Sequence, residues 1–564
     1  MRNIVIVEAI STGKNFIHDI VSRGFNPVVI QSKIHGDSED VKEYKKHVEK
    51  DLRDIPYDFD WLHEKDTYEE TLEMVRALDP VLVLPGNERG VVLAMKLSHD
   101  LNLLCNPIEN IDAMTLKDEM QNRLAQNNLR HIRGRVISSV EEAIDFYEKE
   151  NLKEVVIKPI YSAGSASVRI CMDKDEMIHS IEELFNDSNY YGEENNELLV
   201  QERINGTEYI VNTVSCEGVH RVTLMWKYNK VKTAEGAIIY DSCETVNELN
   251  LGEAEMVEYA YKVADALGIK YGPVHGEYMI DKDGPVLIEV NCRPCGGNMS
   301  AEFLDKISGQ HETDSILDSY LNPKLFHEKK KQRYRLYAHG AVKFFIVPKD
   351  MLAESAPMNN ISIKLSSHFE TALPFSFETS KPFVKTEDLN SSCGFVYLAH
   401  ENLFELYTDI EFLRRVETMA FDLVLSEENS EIIDFDEDSC IESCMQLLSQ
   451  CELYGTTLLI TDQKIDSKCV QKSFEEIPDI KGSYDSIIIN LNKSIAGNKE
   501  DKIAEIFLDI FSKVKVGGLI FIPKYTYQSI KSKRRGMEAF IKVLNLKIEL
   551  PPGGIDEVII ASRT

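Results

Sequence analysis

The segment VHGEYMIDKDGPVLIEVNCR holds the side chains best spaced to bind a cation. Its apolar runs predict two strands, 274–281 and 285–293, joined by the three-residue loop Lys282–Gly284. A loop of this length with glycine in the left-handed position is a common hairpin closure, and it pairs Asp281 with Pro285. This pairing fixes the register of the whole hairpin.

Counting back from the loop places Glu277 opposite Glu289 and His275 opposite Asn291. Because directly opposed residues point to the same face of a sheet, these side chains and Arg293 share one surface. Opposed carboxylates favour a cation between them, and oxygen ligands suit Mg²⁺ carrying a nucleotide phosphate, with Arg293 stabilising a transferring phosphoryl group. The alternative is a solvent-facing polar strand pair. The opposite face carries Val274, Tyr278, Ile288 and Val290.

A second motif, VVIKPIYSAGSASVRI, places Lys158 at the end of a predicted strand and follows it with a loop of small residues, Ser162–Ser167. Small residues let backbone N–H groups approach phosphate oxygens, and Lys158 supplies a point charge. The loop turns back into a strand, unlike a P-loop, which runs into a helix. A hairpin loop without a ligand is the alternative interpretation.

A third motif, LLVQERINGTEYIVNT, predicts a strand that breaks at Asn205–Gly206 and then resumes. The break leaves Gln201, Glu202 and Ile204 on a hinge, where backbone groups can bind the edge of a flat heterocycle. Glu208 lies beyond the hinge and would accept hydrogen bonds from ribose hydroxyls. An ordinary strand, turn and strand with a surface glutamate is the alternative.

The surrounding pattern predicts a multidomain α/β protein. Residues 1–115 alternate strand, helix and strand like a small doubly wound domain, and residues 116–205 read as a mixed α/β lid. Residues 206–425 carry further strands and one long helix, AEMVEYAYKVADALG. An acidic stretch from Ser426 is a candidate linker, and residues 426–564 hold four short apolar runs typical of a Rossmann-like unit.

Composition restricts the class of protein. The net charge of −31 opposes non-specific binding to nucleic acid or to anionic membranes. The N-terminus has no signal-peptide pattern and no apolar run approaches the ~20 residues of a membrane span, so we expect a soluble, cytoplasmic protein. Eleven scattered cysteines indicate reduced thiols. Cys292 and Cys295 lack a second ligand pair, which disfavours a zinc site.

In this order and spacing, the motifs resemble the ATP-grasp superfamily, particularly its carboxylate-amine ligases, which include the L-amino acid (dipeptide) ligases. The resemblance covers about residues 1–425 and includes STG near Ser11 and NERGVVLA near Glu88. It implies a pre-ATP-grasp Rossmann-like domain, a lid and a mixed-sheet catalytic domain.

The resemblance also implies a role for each motif. Lys117 and Lys158 would bind the phosphates of ATP under the loop residues Ser162, Ala163, Gly164 and Ser165. Gln201, Glu202 and Ile204 would hold adenine, and Glu208 the ribose. Glu277, Glu289 and Asn291 would bind Mg²⁺, with Mn²⁺ as a substitute, and Arg293 would act in catalysis. Positional guesses for the substrate residues are His275, Trp226, Gly296, Gly297 and Asn298.

This sequence departs from the family pattern at three positions. The family loop commonly ends in Gly before Val, whereas Ser167 precedes Val168 here, which predicts stiffer closure of the loop. Cys292 and Cys295 stand where the family more often carries Ala and Gly.

The C-terminal unit resembles another fold. VKVGGLIFIP is similar to a strand of Rossmann-like methyltransferases, but TTLLITDQKID lacks the glycine-rich loop that such domains place after their first strand. We therefore expect a degenerate, non-catalytic domain used for contacts rather than an S-adenosylmethionine site.

The predicted function is ATP-dependent ligation. The enzyme would phosphorylate a carboxylate, an amine would attack the acyl phosphate, and ADP and phosphate would leave. The substrates would be small molecules. Ligases of this family are frequently dimers, so the resemblance also allows a homodimer. Two alternatives stay open: a carboxylase or purine-type ligase using bicarbonate or another small acid, and a nucleotide-binding scaffold without turnover.

Overall fold

The structure is a computed structural model of the 564-residue chain. It divides into two compact units, Met1–Tyr407 and Thr408–Thr564, which are described separately. It describes residues 1–33, 45–46, 48–49, 52–53, 55–160, 168–186, 195–232, 238–347, 350, 362, 365–372, 384–387 and 391–414, and six strands after residue 456. The predicted domain boundaries after residues 115, 205 and 425 stay predictions.

The chain begins with a parallel sheet of four strands in the order β3–β2–β1–β4. Its strands are short apolar runs, and the helices between them bury amphipathic faces against the sheet. Since all strands run the same way, the residues that follow them meet at one edge. The strands are Asn3–Val7 (β1), Asn26–Gln31 (β2), Asp60–His63 (β3) and Pro80–Pro85 (β4), and the helices are Asn15–Ser22 (α1), Tyr68–Ala77 (α2) and Val91–Asp100 (α3).

A second, antiparallel sheet has the strand order β5–β8–β6–β7. The helix Val140–Lys149 begins with a serine cap, because the Ser139 side chain accepts a hydrogen bond from the backbone N–H of Glu142. Ile157 and Val200 turn into the core of this layer, whereas Lys158 and Gln201 lie on the opposite face. The elements are Ile111–Thr115 (α4), Lys117–Gln126 (α5), Gly134–Ile137 (β5), Val140–Lys149 (α6), Val155–Pro159 (β6), Arg169–Cys171 (β7), Lys174–Phe185 (α7) and Leu198–Glu202 (β8).

The largest sheet is antiparallel and has eight strands in the order β13–β12–β9–β10–β11–β14–β16–β15. Its strands are Thr207–Cys216 (β9), Val219–Lys232 (β10), Ile238–Thr245 (β11), Gly272–Asp281 (β12), Gly284–Asn291 (β13), His339–Phe344 (β14), His368–Ala372 (β15) and Phe395–His400 (β16).

One helix covers the core face of this sheet. It spans Leu251–Leu267 (α8), begins with a capping box between Asn250 and Glu253, and ends at Gly268 in the left-handed conformation (φ 79°). Its apolar side chains pack with Val274, Tyr278 and others from the strands. The remaining helices are Ala301–Ser308 (α9), Glu312–Leu321 (α10) and Pro323–Lys330 (α11).

The loop predicted for the β12–β13 hairpin is wrong by one residue. Asp281 pairs with Gly284, not with Pro285, so the loop is two residues long. A β-bulge after Glu277 takes up the difference, because Tyr278 pairs with Leu287.

The bulge restores the predicted register beyond it. Glu277 lies opposite Glu289, and His275 lies opposite Asn291. Leu287 therefore packs in the core beside Val274, Tyr278 and Val290, in place of the predicted Ile288.

The C-terminal unit contains the four strands predicted from its apolar runs. Described strands form one sheet in the order β18–β17–β19–β20–β22–β21, parallel from β18 to β20, with β22 antiparallel to its neighbours. The acidic stretch from residue 426 lies outside the described residues. The strands are Thr457–Thr461 (β17), Val470–Lys472 (β18), Tyr484–Asn490 (β19), Val514–Pro523 (β20), Leu546–Lys547 (β21) and Val558–Arg563 (β22).

None of the described helices combines the length and the apolar character that crossing a bilayer requires.

A buried charge cluster joins α1 to α10. His311 Nε2 lies 2.9 Å from Asp19 Oδ2, and its Nδ1 lies 2.9 Å from Asp305 Oδ1. Burial opposes the charged imidazolium, but these carboxylates outweigh burial and raise the pKa of His311 to about 10. The imidazolium thus donates to two carboxylates and ties the first domain to the helices beyond the large sheet.

This cluster gives a pH-dependent prediction. His311→Gln should lower the midpoint of thermal unfolding near pH 7 by about 5 °C, since breaking a buried ion pair costs about 3 kcal/mol. Because the pKa of His311 is raised on folding, its contribution is complete below pH 6.5 and disappears as the pH rises through about 10. Melting curves of both proteins from pH 6 to 10 test this. A constant difference over that range would contradict it.

Candidate active site

The facing carboxylates lie beside two lysines. Lys117 Nζ is 3.1 Å from Glu289 Oε2, and Asn291 Nδ2 is 3.5 Å from Glu289 Oε1. Burial would raise the pKa of Glu289, but the ammonium groups of Lys117 and Lys158 outweigh burial and hold the pKa below its usual value. Glu289 is therefore a buried anion that already has a cation against it.

The two lysines occupy different electrostatic environments. Lys117 begins α5, and although burial opposes its charge, Glu289 and Glu88 raise its pKa above the usual value. Lys158 ends β6, and burial lowers its pKa to about 8, with Glu289 only partly offsetting the shift. In the part of the chain that the structure describes, Lys158 forms no ion pair. A buried ammonium in this state favours an anionic ligand.

Arg293 lies just beyond β13 and reaches the first domain. Its NH2 group is 3.3 Å from Glu88 Oε2, while NH1 donates to the carbonyl of Pro294 at 3.1 Å. Its buried Nε has no hydrogen-bond partner among the described residues. Burial opposes the charge of Arg293, but Glu88 outweighs it and raises the pKa. The sequence offered one signal for Glu88, its place in the NERGVVLA segment that carries part of the family resemblance.

His275 is held in a fixed orientation beside the carboxylates. Its Nδ1 is 2.9 Å from Asn212 Oδ1, and its Nε2 is 3.6 Å from Glu277 Oε1. Burial opposes protonation, but neighbouring Cys295 and Glu277 outweigh it and raise the pKa of His275 to about 10. Asn212 carried no sequence signal, because it sits in an apolar strand whose partner is 63 residues away.

Glu312 is a further buried carboxylate that sequence reasoning missed. Its Oε2 accepts a hydrogen bond from the backbone N–H of Cys295 at 2.8 Å, and its Oε1 has no partner among the described residues. Burial raises the pKa of Glu312 to about 7, although the nearby charges of His275 and Arg293 oppose the shift. Nothing in the pattern around the start of α10 marked this residue.

The hinge residues are placed as follows. Gln201 is buried. Neither its Nε2 nor Asp118 Oδ1 has a hydrogen-bond partner among the described residues. Both side chains line a cavity of about 450 Å³. The Glu202 carboxylate binds Arg133 at 2.6 Å, and the backbone N–H of Glu202 donates to the carbonyl of Arg133 at 2.9 Å. Ile204 lies in the break between β8 and β9.

Glu208 lies on β9 beyond the hinge. Lys230 Nζ is 2.6 Å from Glu208 Oε2, and the Tyr240 hydroxyl donates to Oε1 at 3.2 Å. Burial raises the pKa of Glu208, and Lys230 opposes that shift. Both oxygens of this carboxylate therefore already have partners.

The loop of Gly296, Gly297 and Asn298 is fastened by the first domain. Thr12 Oγ1 donates to the carbonyl of Gly296 at 3.2 Å, and Ser11 Oγ accepts from the backbone N–H of Asn298 at 2.9 Å. The Tyr397 hydroxyl donates to the carbonyl of Gly297. The buried Oδ1 of Asn298 has no partner among the described residues.

Two groups of predicted site residues do not join the others. Trp226 is 0% exposed and stacks on Phe303 with 6.4 Å between ring centroids. Its side chain therefore packs in the core and cannot touch a substrate there. Ser162, Ala163, Gly164 and Ser165 lie outside the described residues.

The carboxylate pair can serve a divalent cation only with outside ligands. No cluster of three or more His, Cys, Asp or Glu side chains suited to a metal occurs among the described residues. Glu277, Glu289 and the amide of Asn291 supply hard oxygen donors on one surface, and Lys117 against Glu289 shows that this position accepts a cation. These residues fit a Mg²⁺ ion that takes its other ligands from phosphate and water.

Comparisons with known proteins agree with this arrangement. Residues 152–302 match the model of the ATP-grasp domain family. Dapdiamide A synthase of Enterobacter agglomerans is 26% identical over 428 residues, which cover 75% of this chain and 98% of that protein.

Two solved structures share the fold. The L-amino acid ligase of Bacillus licheniformis superimposes with a TM-score of 0.56 at 16% identity, over 74% of this chain and 97% of that one. N5-carboxyaminoimidazole synthase of Aspergillus clavatus was solved with ADP and 5-aminoimidazole ribonucleotide. It superimposes with a TM-score of 0.52 at 12% identity, over 74% of this chain and 99% of that one.

The buried Glu312 carboxylate gives a second pH-dependent prediction. Its raised pKa makes the folded state favour the neutral form, so the native protein loses stability as the pH rises from 4.5 through about 7. Glu312→Gln keeps an acceptor for the Cys295 N–H without the charge. It should therefore be more stable than the native protein at pH 8, by up to about 3 kcal/mol, and equal to it near pH 4.5. Chemical denaturation at several pH values measures this.

The matched control is Glu258→Gln on the exposed face of α8. It should show no such gain with pH. A loss of stability for Glu312→Gln at pH 8 would show that the carboxylate is needed as an anion.

Proposed function

We propose that this chain, whose residues 152–302 match the ATP-grasp domain family, is an ATP-dependent, ADP-forming ligase that joins an amino acid to an amine through an acyl phosphate. The observation that carries the proposal is the Glu289 carboxylate with Glu277 opposite it, Lys117 at 3.1 Å and Lys158 close by, which forms no ion pair with any described residue. This arrangement places negative and positive groups where a metal–phosphate ligand would satisfy both.

We assign the nucleotide to the space between the second sheet and the large sheet. Lys158 and Lys117 bind its phosphates, and the loop 162–167 covers them. The hinge at Gln201, Glu202 and Ile204 holds adenine, with the contact of Glu202 made by its backbone. Because Glu208 is already bound by Lys230 and Tyr240, ribose binding would displace the tyrosine or share its acceptor.

Mg²⁺ is assigned to Glu277, Glu289 and Asn291, with Mn²⁺ as a substitute. When bound, the ion neutralises phosphate charge and orients the transferring group. The protein supplies the fixed geometry. Glu277 and Glu289 are held opposite each other by the hairpin register. Without nucleotide, the ammonium group of Lys117 forms an ion pair with the Glu289 carboxylate.

The chemistry then proceeds in two steps. The substrate carboxylate attacks the γ-phosphoryl group of ATP and forms an acyl phosphate and ADP. The amine attacks the acyl carbon, and phosphate leaves. Arg293, held by Glu88 at 3.3 Å, has a buried Nε with no partner among the described residues, and this group would donate to the charge that develops in both transition states. The remaining rate acceleration would come from positioning of the substrates and from exclusion of water.

The amine substrate belongs on the side of His275, Glu312 and the Gly296–Asn298 loop. The unpartnered Oε1 of Glu312 and Oδ1 of Asn298 are acceptors, which suit an ammonium or amine. The names of the related ligases, dapdiamide A synthase and L-amino acid ligase, support amino acids as the substrate class. A cytoplasmic homodimer that acts on small molecules is part of this proposal.

We also infer that residues 426–564 form a degenerate methyltransferase-like domain used for contacts. The support is the run of parallel strands β18 to β20 followed by an antiparallel β22. The segment after β17 has no glycine through residue 466, which disfavours a cofactor loop of the S-adenosylmethionine type.

The ligase assignment predicts substrate-dependent turnover. With Mg-ATP and pooled amino acids, organic acids and amines, the protein should release ADP and form a product whose mass equals two substrates minus water. Glu289→Gln should lower this rate by at least about 100-fold, because a metal ligand is lost. Glu258→Gln, exposed on α8, should keep it. ADP release that needs bicarbonate and no amine would instead indicate a carboxylase.

Lys158 gives a prediction about nucleotide affinity. Lys158→Met should weaken ATP binding by about 30-fold, the value of a charge-assisted hydrogen bond to phosphate. Because the pKa of Lys158 is about 8 without nucleotide, native affinity should fall as the pH rises above 8, whereas the variant should show no such fall. Calorimetric titration of both proteins measures this, with exposed Lys149→Met on α6 as the control. Equal affinities would contradict the assignment.

A further inference from the structure

A separate cavity opens at the carboxyl edge of the first sheet. It lies beyond the ends of β2 and β3, has a volume of about 270 Å³, and is lined by Gln31, Ser32, Lys33, Lys45, Val48, Glu49, Trp61, His63 and Glu64. Ligands of open α/β sheets commonly bind outside the carboxyl ends of the strands. The volume is slightly below that of typical ligand pockets, so it suits a small molecule.

Three buried polar atoms of these lining residues have no hydrogen-bond partner among the described residues. They are Gln31 Oε1, Ser32 Oγ and Trp61 Nε1. Gln31 is only 7% exposed, and its orientation is fixed, because its Nε2 donates to Glu8 Oε2 at 2.7 Å. Its oxygen is therefore the amide atom that lacks a partner among the described residues. Leaving such atoms without partners costs about 1–3 kcal/mol each, so a ligand with matching groups would gain affinity.

The chemistry of the three atoms defines what fits. Trp61 Nε1 only donates, Gln31 Oε1 only accepts, and the hydroxyl of Ser32 does both. Charged side chains of both signs line the same cavity, the cations Lys33 and Lys45 and the anions Glu49 and Glu64. A ligand that carries both an anionic acceptor and a cationic donor within a few ångströms satisfies this set.

A series of contacts runs from the cavity through Glu8 toward the active site. Both oxygens of this buried carboxylate are held by the cavity wall, Oε2 by Gln31 and Oε1 by the backbone N–H of Ser32 at 3.0 Å. Glu8 also has a left-handed backbone (φ 62°), a strained conformation for a residue with a side chain. Arg89 Nε lies 3.9 Å from Glu8 Oε1, and the adjacent Glu88 binds Arg293.

We propose that this cavity binds a free α-amino acid as a zwitterion, separately from the surface of Glu277 and Glu289. The carboxylate of the ligand accepts from Trp61 Nε1 and faces Lys45, and its ammonium group donates to Gln31 Oε1 and faces Glu64. The contact chain from Gln31 through Glu8 to Arg89 lets occupancy affect Arg293. The site needs no nucleotide, so it stands independently of the ligase assignment.

The chain offers a direct probe, because it has only two tryptophans, Trp61 and Trp226. Trp226→Phe leaves Trp61 as the only source of tryptophan fluorescence. Titrating this protein with each common L-amino acid, without ATP or metal, should give a saturable change in emission for at least one of them. No change with any amino acid up to about 10 mM would overturn the proposal, since that limit excludes all but very weak binding.

Two further variants test where the amino acid binds. Ser32→Ala in the Trp226→Phe protein should raise the Kd by about tenfold, because it removes one hydrogen bond. On the native background, Trp61→Phe replaces the indole with a smaller aromatic ring that lacks the N–H, and it should weaken calorimetric binding by a similar factor. This variant covers the case that Trp226→Phe does not fold. Glu289→Gln should leave this affinity unchanged. Binding that is lost in Glu289→Gln and kept in Trp61→Phe and Ser32→Ala would place the ligand in the active site instead.

Discussion

The repulsion between Glu277 and Glu289 is the interaction on which the rest of the site depends. The hairpin register fixes the two carboxylates opposite each other, and their side chains are only 25% and 17% exposed, so water screens them weakly. Such a pair is stable only with positive charge beside it. Lys117 from the second layer provides it at 3.1 Å, with Lys158 close by and Arg293 at the end of the hairpin. Three segments distant in sequence are thus drawn together by one electrostatic requirement, which a metal–nucleotide complex would also meet.

The first domain acts on this site by positioning. Glu88 follows β4 and binds Arg293, while Ser11 and Thr12 follow β1 and hold the backbone of Gly296 and Asn298. Both contacts come from the carboxyl edge of one parallel sheet, where loops from several strands meet. The His311 cluster fastens the same domain from another direction. The geometry of the reacting groups therefore depends on contacts from the first parallel sheet as well as on the hairpin.

The sequence predicted the hairpin face well because alternation and pairing are local rules. It predicted the wrong loop length, and the face was still right because the bulge at Ile288 absorbs one residue. Local rules could not find Glu312 or Asn212, whose partners are brought near only by the complete fold. Trp226 was misplaced for the same reason, since its face of β10 is covered by Phe303 from α9, a contact that strand alternation does not encode. The C-terminal strands were predictable from apolar runs, but the function of the domain that they form was not.

The central claim is that the carboxylate substrate becomes an acyl phosphate, and isotope transfer tests it most directly. The amino acid consumed in the reaction would be labelled with ¹⁸O in its carboxylate, and the released phosphate would be examined by mass spectrometry. The account predicts one ¹⁸O atom in each phosphate and one retained in the amide product, because the oxygen that attacks the γ-phosphoryl group leaves with it. Unlabelled phosphate, or label found in AMP with pyrophosphate released, would contradict the mechanism.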